Sequence, residues 1–199
     1  MPKAFNQEEK QRIISQIKEA AMELFARYGL KRTRIQDITD AIGIAKGSFY
    51  AFYPSKELLF MDMLEEMESG IQADMFSRMR VLENPEPHRL LKVLKELILE
   101  VLENPLVNLV FERENWQYLM QHLPAERVRK NLEIDYKFAS QILSLFQQEK
   151  KLEQREIEFF TSAFRSVFFL YMHKKEIGER QLNKVMDFFI TALFVKILK

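Results

Sequence analysis

The chain has no cysteine, which excludes disulfides and thiolate metal sites and agrees with a reducing compartment. Glycine is scarce, five residues in 199, and no phosphate-binding glycine loop or nucleophile elbow occurs. The three histidines, His88, His122 and His173, lack metal-ligand spacing. Adjacent carboxylates such as Glu65 and Glu66 read as solvated helix faces, so nothing supports catalysis and no cofactor or metal is expected. No apolar run is long enough to span a bilayer, and residues 1–10 lack an apolar signal core. A cytoplasmic protein without a membrane partner is the expectation. Strand signals are also absent: there is no long alternating β-branched run and no Asn-Gly or Asp-Gly turn.

What remains is helical. Apolar residues make up 47% and charged residues 30% of the chain, a globular balance. The net charge is only +1, but its distribution is uneven. Residues 1–60 carry ten Lys/Arg against seven Asp/Glu, whereas the rest carry twenty against twenty-two. A mildly basic N-terminal part suits local phosphate contact.

Ile14, Ile17, Ala21, Leu24, Phe25 and Tyr28 form one stripe of a first helix, and Gly29 stands where a C-cap glycine would end it. Thr33 and Gln36 have the spacing of a capping box for a second helix near 34–41. Gly43 breaks the pattern before a third helix near 45–52, and Pro54-Ser55 precedes a long fourth helix from Lys56. Further joints fall at Pro85 and Pro87, Asn104-Pro105, Pro124 and Gly178. They delimit helices near 88–103, 106–122, 124–150, 155–174 and 179–199. The expected fold is all-α with about nine helices: a three-helix domain over residues 1–54 and a larger helical domain over 55–199.

The segment from Thr33 to Lys56 has the plan of a helix-turn-helix. At 100° per residue, Ala45, Phe49 and Phe52 share an inner side of the third helix. Lys46, Gly47, Tyr50 and Ala51 lie opposite, with Ser48 at the edge. Gly47 costs such a short helix about 1 kcal/mol, and its missing side chain allows close approach of another surface. Lys46, Ser48 and Tyr50 suit phosphate oxygens and base edges. Thr33 and Lys56 are positioned to hold phosphates on either side. The plainer alternative makes Thr33 an N-cap, Tyr50 a partly buried ring and Lys56 a solvated charge.

The segment resembles the DNA-binding domain of the TetR family of bacterial transcriptional regulators. The resemblance is carried by Ala21-x-x-Leu24-Phe25-x-x-Tyr28-Gly29, Thr33-x-x-x-Asp37-Ile38, Ala41-x-Gly43-Ile44-x-Lys46-Gly47-Ser48-Phe49-Tyr50 and Phe52-Tyr53-Pro54-Ser55-Lys56-Glu57-x-Leu59. It covers about residues 10–60. It implies that Thr33, Lys46, Gly47, Ser48, Tyr50, Tyr53 and Lys56 occupy positions that commonly touch DNA. Ala51 stands where many members carry an aromatic residue or His, and Phe52-Tyr53 reverses the frequent order.

The last two helices are apolar around most of their circumference, which calls for burial on more than one side. Phe160, Phe164 and Phe168, with Met186, Phe189 and Leu193, are the candidate homodimer interface. The alternative is a monomer with two central helices. The family resemblance favours the dimer, and two recognition helices would then read a pseudo-palindromic operator. In the middle of the chain, Arg113, Gln117 and Asp135 fall within apolar stripes, where an unpaired charge is costly. Arg113 and Asp135 pair with each other or reach a solvated edge, or they line a pocket with Gln117, walled by Phe111, Trp116, Met120 and Phe138, for an apolar effector with a polar end. The resemblance implies a ligand-released repressor of double-stranded DNA. An α-helical protein-interaction module without DNA binding is the other reading.

Overall fold

A computed structural model describes residues 6–82, 86–146 and 153–197, without the side chains of Pro87, Arg113, Phe146 and Ile197. Every regular element among them is helical, and there are eleven rather than about nine. They are α1 (Gln7–Tyr28), α2 (Ile35–Ile42), α3 (Lys46–Phe49), α4 (Lys56–Arg80), α5 (Pro87–Glu103), α6 (Pro105–Phe111), α7 (Arg113–His122), α8 (Ala125–Phe146), α9 (Gln154–Met172), α10 (Lys174–Ile177) and α11 (Glu179–Ile197). None is long and apolar enough to cross a membrane.

The two extra elements are ones that periodicity does not show. The helix expected over 106–122 is interrupted at Glu112. There the amide of Asn115, itself buried, donates to the Leu109 carbonyl at 2.8 Å and to the Glu112 carboxylate at 3.0 Å. A side chain thus satisfies a carbonyl that a continuous helix would have used. The single turn of α10 adds the other element between α9 and Gly178.

The chain divides into two compact units, and the division is not the single cut at 54/55. The first unit takes residues 1–68 together with 105–123, so α6 and α7 belong with the N-terminal helices. The second takes 69–104 and 124–199.

In the first unit α1 starts from a capping box, with the Glu9 N–H donating to Asn6 Oδ1 at 2.7 Å and the Asn6 N–H to the Glu9 carboxylate at 3.2 Å. Its buried row is Ile13, Ile17, Ala21 and Phe25, an i, i+4 series; Ile14 is only half-buried and Tyr28 exposed, contrary to the expected stripe. This row packs with Leu30, Ile38, Phe49, Leu59 and Phe60 into one core, in which the Phe25 and Phe60 rings meet edge to face at 5.5 Å. The buried Leu106, Val107, Leu109 and Val110 of α6 complete the unit. The α1 and α4 helices are also tied electrostatically. Lys18 Nζ lies 2.8 Å from Asp62 and 2.6 Å from Glu66.

The second unit is built on Leu90, Leu94, Leu97 and Ile98 of α5, Ala139, Ile142 and Leu143 of α8, and Met186, Ile190 and Phe194 of α11. Its interior carries a run of aromatic contacts. Phe138 meets Phe76 at 6.2 Å and Phe164 at 6.3 Å; Phe164 continues to Phe160 and Phe168, and Phe160 to Phe194. Arg78 bridges α4 to α5 by a two-pronged contact with Glu100 at 2.9 and 3.0 Å.

Candidate nucleic-acid interface

The turn between α2 and α3 is set by Gly43, whose φ of +71° and ψ of 32° are left-handed and free of side-chain strain only for glycine. The following amide, Ile44 N–H, donates to Thr39 O at 3.0 Å and closes the turn. The α3 helix is one turn long, shorter than the expected 45–52, and Ala45 is its exposed N-cap rather than an inner residue. Phe49 alone is fully buried there and anchors it, touching the Tyr53 ring at 6.1 Å.

On the opposite side Lys46 and Gly47 are exposed, Ser48 is half-buried and Tyr50 is 51% exposed. A β-carbon added at Gly47 would meet no atom within 4 Å, so the core does not require glycine there. The four residues form a free surface on a fixed base.

Thr33, Tyr53 and Lys56 are held differently. Thr33 is 1% exposed, and its hydroxyl donates within hydrogen-bond reach of Gly29 O at 2.9 Å and Leu24 O at 3.2 Å. It therefore caps the end of α1 and does not form the expected box with Gln36. The α2 N-terminus uses Asp37 instead, which accepts the Arg34 N–H at 2.9 Å, while Gln36 donates to Asp40 at 2.6 Å. The Tyr53 hydroxyl donates to Asp62 at 2.9 Å. Burial and that carboxylate push its pKa up to about 12, so it stays a phenol. Lys56 Nζ donates to the carbonyls of Leu30 at 2.7 Å, Lys31 at 3.0 Å and Thr33 at 2.7 Å. Its burial pulls its pKa down, against the raising influence of Glu57 and Asp37. All three side chains brace the helices that carry the free surface.

Lys31, Arg32 and Arg34 are additional cations that periodicity does not single out. They are exposed, lie at or just before the α2 N-terminus, and form no ion pair among the described residues. The signal for them is the local run Lys31-Arg32-Thr33-Arg34.

The other candidate residues fall in both units. Phe111, Trp116, Gln117 and Met120 belong to the first unit, and Asp135 and Phe138 to the second; the Arg113 side chain lies outside the described residues. Asp135 accepts from Arg165 Nε at 3.1 Å and Nη2 at 2.9 Å, so its partner is on α9. Burial raises the Asp135 pKa, and Arg165 only partly offsets the rise. In α9 and α11, Phe160, Met186 and Leu193 are buried within one chain, and Phe164, Phe168 and Phe189 are half-buried. The uncovered large residues are Phe159, Phe169, Val195 and Phe188, the last 74% exposed. Adjacent Phe pairs, 159-160, 168-169 and 188-189, divide between the two environments.

A braced helix, a left-handed glycine turn and a short second helix with a bare polar face define the class: a helix-turn-helix within a chain whose described elements are all helical. Residues 17–63 match the family model of bacterial regulatory proteins, tetR family, and it is to the helix-turn-helix of that family that this stretch is similar. Among its relatives, the HTH-type transcriptional repressor KstR2 of Rhodococcus jostii (strain RHA1) is 38% identical over 66 residues, 33% of this chain and 30% of that protein. The uncharacterized HTH-type transcriptional regulator YuxN of Bacillus subtilis (strain 168) is 43% identical over 56 residues, 28% and 18% of the two chains. The matched stretch thus spans less than a third of these relatives' length. In fold, the chain is similar to FadR of Thermus thermophilus, a TetR family transcriptional repressor in complex with lauroyl-CoA. The TM-score is 0.66 at 18% identity, over 94% of this chain and 95% of that one.

Proposed function

We propose that the chain is a cytoplasmic, non-enzymatic repressor that binds a pseudo-palindromic DNA operator as a homodimer and is released by a small apolar effector. The observation that carries this reading is the exposed face Lys46-Gly47 with the half-buried Ser48 and with Tyr50, whose ring rests edge-on against Phe49, on a base fixed by Thr33, Tyr53 and Lys56. In that reading Lys46, Ser48 and Tyr50 meet phosphates and base edges in the major groove, and Gly47 lets the α3 backbone come close. Lys31, Arg32 and Arg34 add phosphate contacts, and the backbone braced by Thr33 and Lys56 presents the α2 amides between them.

The dimer face we infer is built from the exposed Phe159, Phe169, Phe188 and Val195 of α9 and α11, with the Lys196 ammonium 4.4 Å from the Phe159 ring centre. A large exposed apolar patch is usually an interaction surface, and the half-buried Phe164, Phe168 and Phe189 border it in sequence. The effector reading rests on the second unit. Phe138 and the aromatic run around it offer an apolar lining, and Asp135 with Arg165 supplies a polar end. The lauroyl-CoA bound by the Thermus thermophilus repressor makes a long-chain acyl-CoA the first effector to try.

The test is selection of a duplex from a random pool, followed by titration at several salt concentrations. Binding of two chains with a steeply negative slope of log affinity against log salt is expected. Lys46→Ala should weaken binding and reduce that slope by about one. A flat salt dependence, or selection of no duplex, refutes DNA recognition and leaves protein interaction as the function. Release of the duplex by lauroyl-CoA supports the effector class; unchanged binding at saturating lauroyl-CoA removes it.

A further inference from the structure

The α7 helix is not a neutral part of the DNA-reading unit. Its Tyr118 hydroxyl donates to Glu57 Oε1 at 2.6 Å, joining residues sixty-one positions apart in the sequence. Glu57 is 8% exposed, an unusual place for a carboxylate. Burial opposes its charge, but hydrogen bonds from Tyr118, its own N–H and Ser55, with the neighbouring Lys56 charge, outweigh it and lower its pKa. The Lys56 ammonium lies 5.2 Å from the centre of the same Tyr118 ring, within cation–π range. Beyond it are the Leu30, Lys31 and Thr33 carbonyls, which take all three of its N–H groups. These carbonyls lie in the turn that launches α2. The Tyr118 ring also stacks on His122, with centroids 4.1 Å apart and planes 26° apart. A continuous path of short polar and ring contacts therefore runs from the last turn of α7, through the first turn of α4, to the turn ahead of the helix-turn-helix.

We propose that Tyr118 is a positioning residue that latches α7 onto Glu57 and Lys56, so that a displacement of α7 is passed to the α1–α2 turn and changes the presentation of the DNA-reading face. The regulatory meaning of the latch rests on the DNA-binding reading above; its mechanical existence does not. The α7 helix has a natural input, because Leu123 ends the first unit and Pro124 begins the next stretch of the second. Any change that pulls on the start of α8 acts covalently on the residue after His122. A hydrogen bond to a buried carboxylate is strong and directional, which makes it a coupling element rather than a greasy contact that slides.

The test uses the full chain. Tyr118→Phe keeps the ring and removes the donor, so folding is preserved. Amide hydrogen exchange is followed at residues 30–38, in α9 and in α11. Exchange at 30–38 should accelerate on the order of tenfold, as expected for loss of one charge-assisted hydrogen bond, with α9 and α11 unchanged. In a Lys56→Met background, where the link to the carbonyls is already cut, Tyr118→Phe should add no further acceleration at 30–38. Affinity for the selected duplex should fall several-fold at an unchanged salt slope. Acceleration confined to 56–60 and 113–122 overturns the latch, as does uniform acceleration that includes α9 and α11. Additive effects of the two substitutions at 30–38 overturn the route through Lys56. If the wild-type chain selects no duplex, the DNA reading fails while the exchange pattern still decides whether the latch exists.

Discussion

Replacing Gly47 by alanine separates the needs of the fold from those of DNA. Gly47 is exposed in α3, its backbone is helical, and a new β-carbon would touch nothing within 4 Å. Alanine is favoured over glycine in a helix by about 1 kcal/mol, and part of that gain comes from the less flexible unfolded chain. A one-turn helix captures only some of it, so a stabilisation of about 0.5–1 kcal/mol is expected. That corresponds to a rise in Tm of about 1–4 °C for a chain of this size. If the α3 backbone packs directly against DNA, the same methyl group overpacks the complex, at a cost of about 1–3 kcal/mol. Affinity for the selected duplex then falls about five- to hundred-fold. No charge is removed, so the salt slope should not change. Fluorescence anisotropy with labelled duplex, alongside thermal and urea unfolding, reads both quantities. Gly43→Ala is the control. It also meets open space, but φ is +71°, and a left-handed alanine costs about 1–2 kcal/mol, so stability and binding should fall together. If Gly47→Ala binds as tightly as wild type, or loses stability and affinity together, the close-approach argument is refuted.

Other substitutions probe the remaining features. Phe188→Glu places a charge on the most exposed large apolar residue. It should raise the dimer dissociation constant at least about thirty-fold, as loss of an anchor worth about 2 kcal/mol would, without lowering Tm at concentrations where wild type is monomeric; sedimentation equilibrium measures it. Glu57 has a folded pKa below its ordinary 4.5. Its ionised form therefore contributes stability that is complete above 4.5 and is lost as pH falls through the depressed folded value. The deficit of Glu57→Gln in urea unfolding should be largest near neutral pH and close only as pH falls through the depressed folded value. Arg165→Met leaves the Asp135 carboxylate half-buried without its partner. It should cost about 1–2 kcal/mol at pH 7, discounted from fully buried pairs because both side chains reach solvent. The Asp135 pKa is already raised, so protonation should shrink this deficit as the solution is made more acidic; a deficit that does not change with pH argues against an unpaired carboxylate.

The helical content, the glycine turn and most joints were legible because they depend on neighbours. Gly43 needs a left-handed backbone within its own turn, and prolines end helices locally. What was not legible depends on distant partners. Thr33 has the spacing of an N-cap, yet its hydroxyl reaches back to Leu24 and Gly29; both uses look alike in sequence. Lys56 looks like a solvated or phosphate-seeking cation until three carbonyls some twenty-five residues earlier surround it. Two arginines, Arg113 and Arg165, sit in apolar stripes, and periodicity cannot say which one meets Asp135. The break at Glu112 depends on one asparagine side chain. In α9 and α11, consecutive phenylalanines leave the periodicity without a preferred face, so sequence alone does not tell the exposed Phe159, Phe169 and Phe188 from their more buried neighbours.

The composition of the first unit bears on how the protein is made. Its residues are not consecutive: 1–68 must wait for 105–123, and the stretch between them belongs to the other unit. Domains emerging from the ribosome usually close in order from the N-terminus. Here α1 to α3 are synthesised early, but the apolar side chains of α6 and the Asn115 brace follow only after all of α5. A nascent chain stopped before Leu123 would carry a complete recognition segment on an unfinished core. The first unit can complete its core only once residues 105–123 have been made, and a fragment cut at residue 68 would be a poor substitute for it.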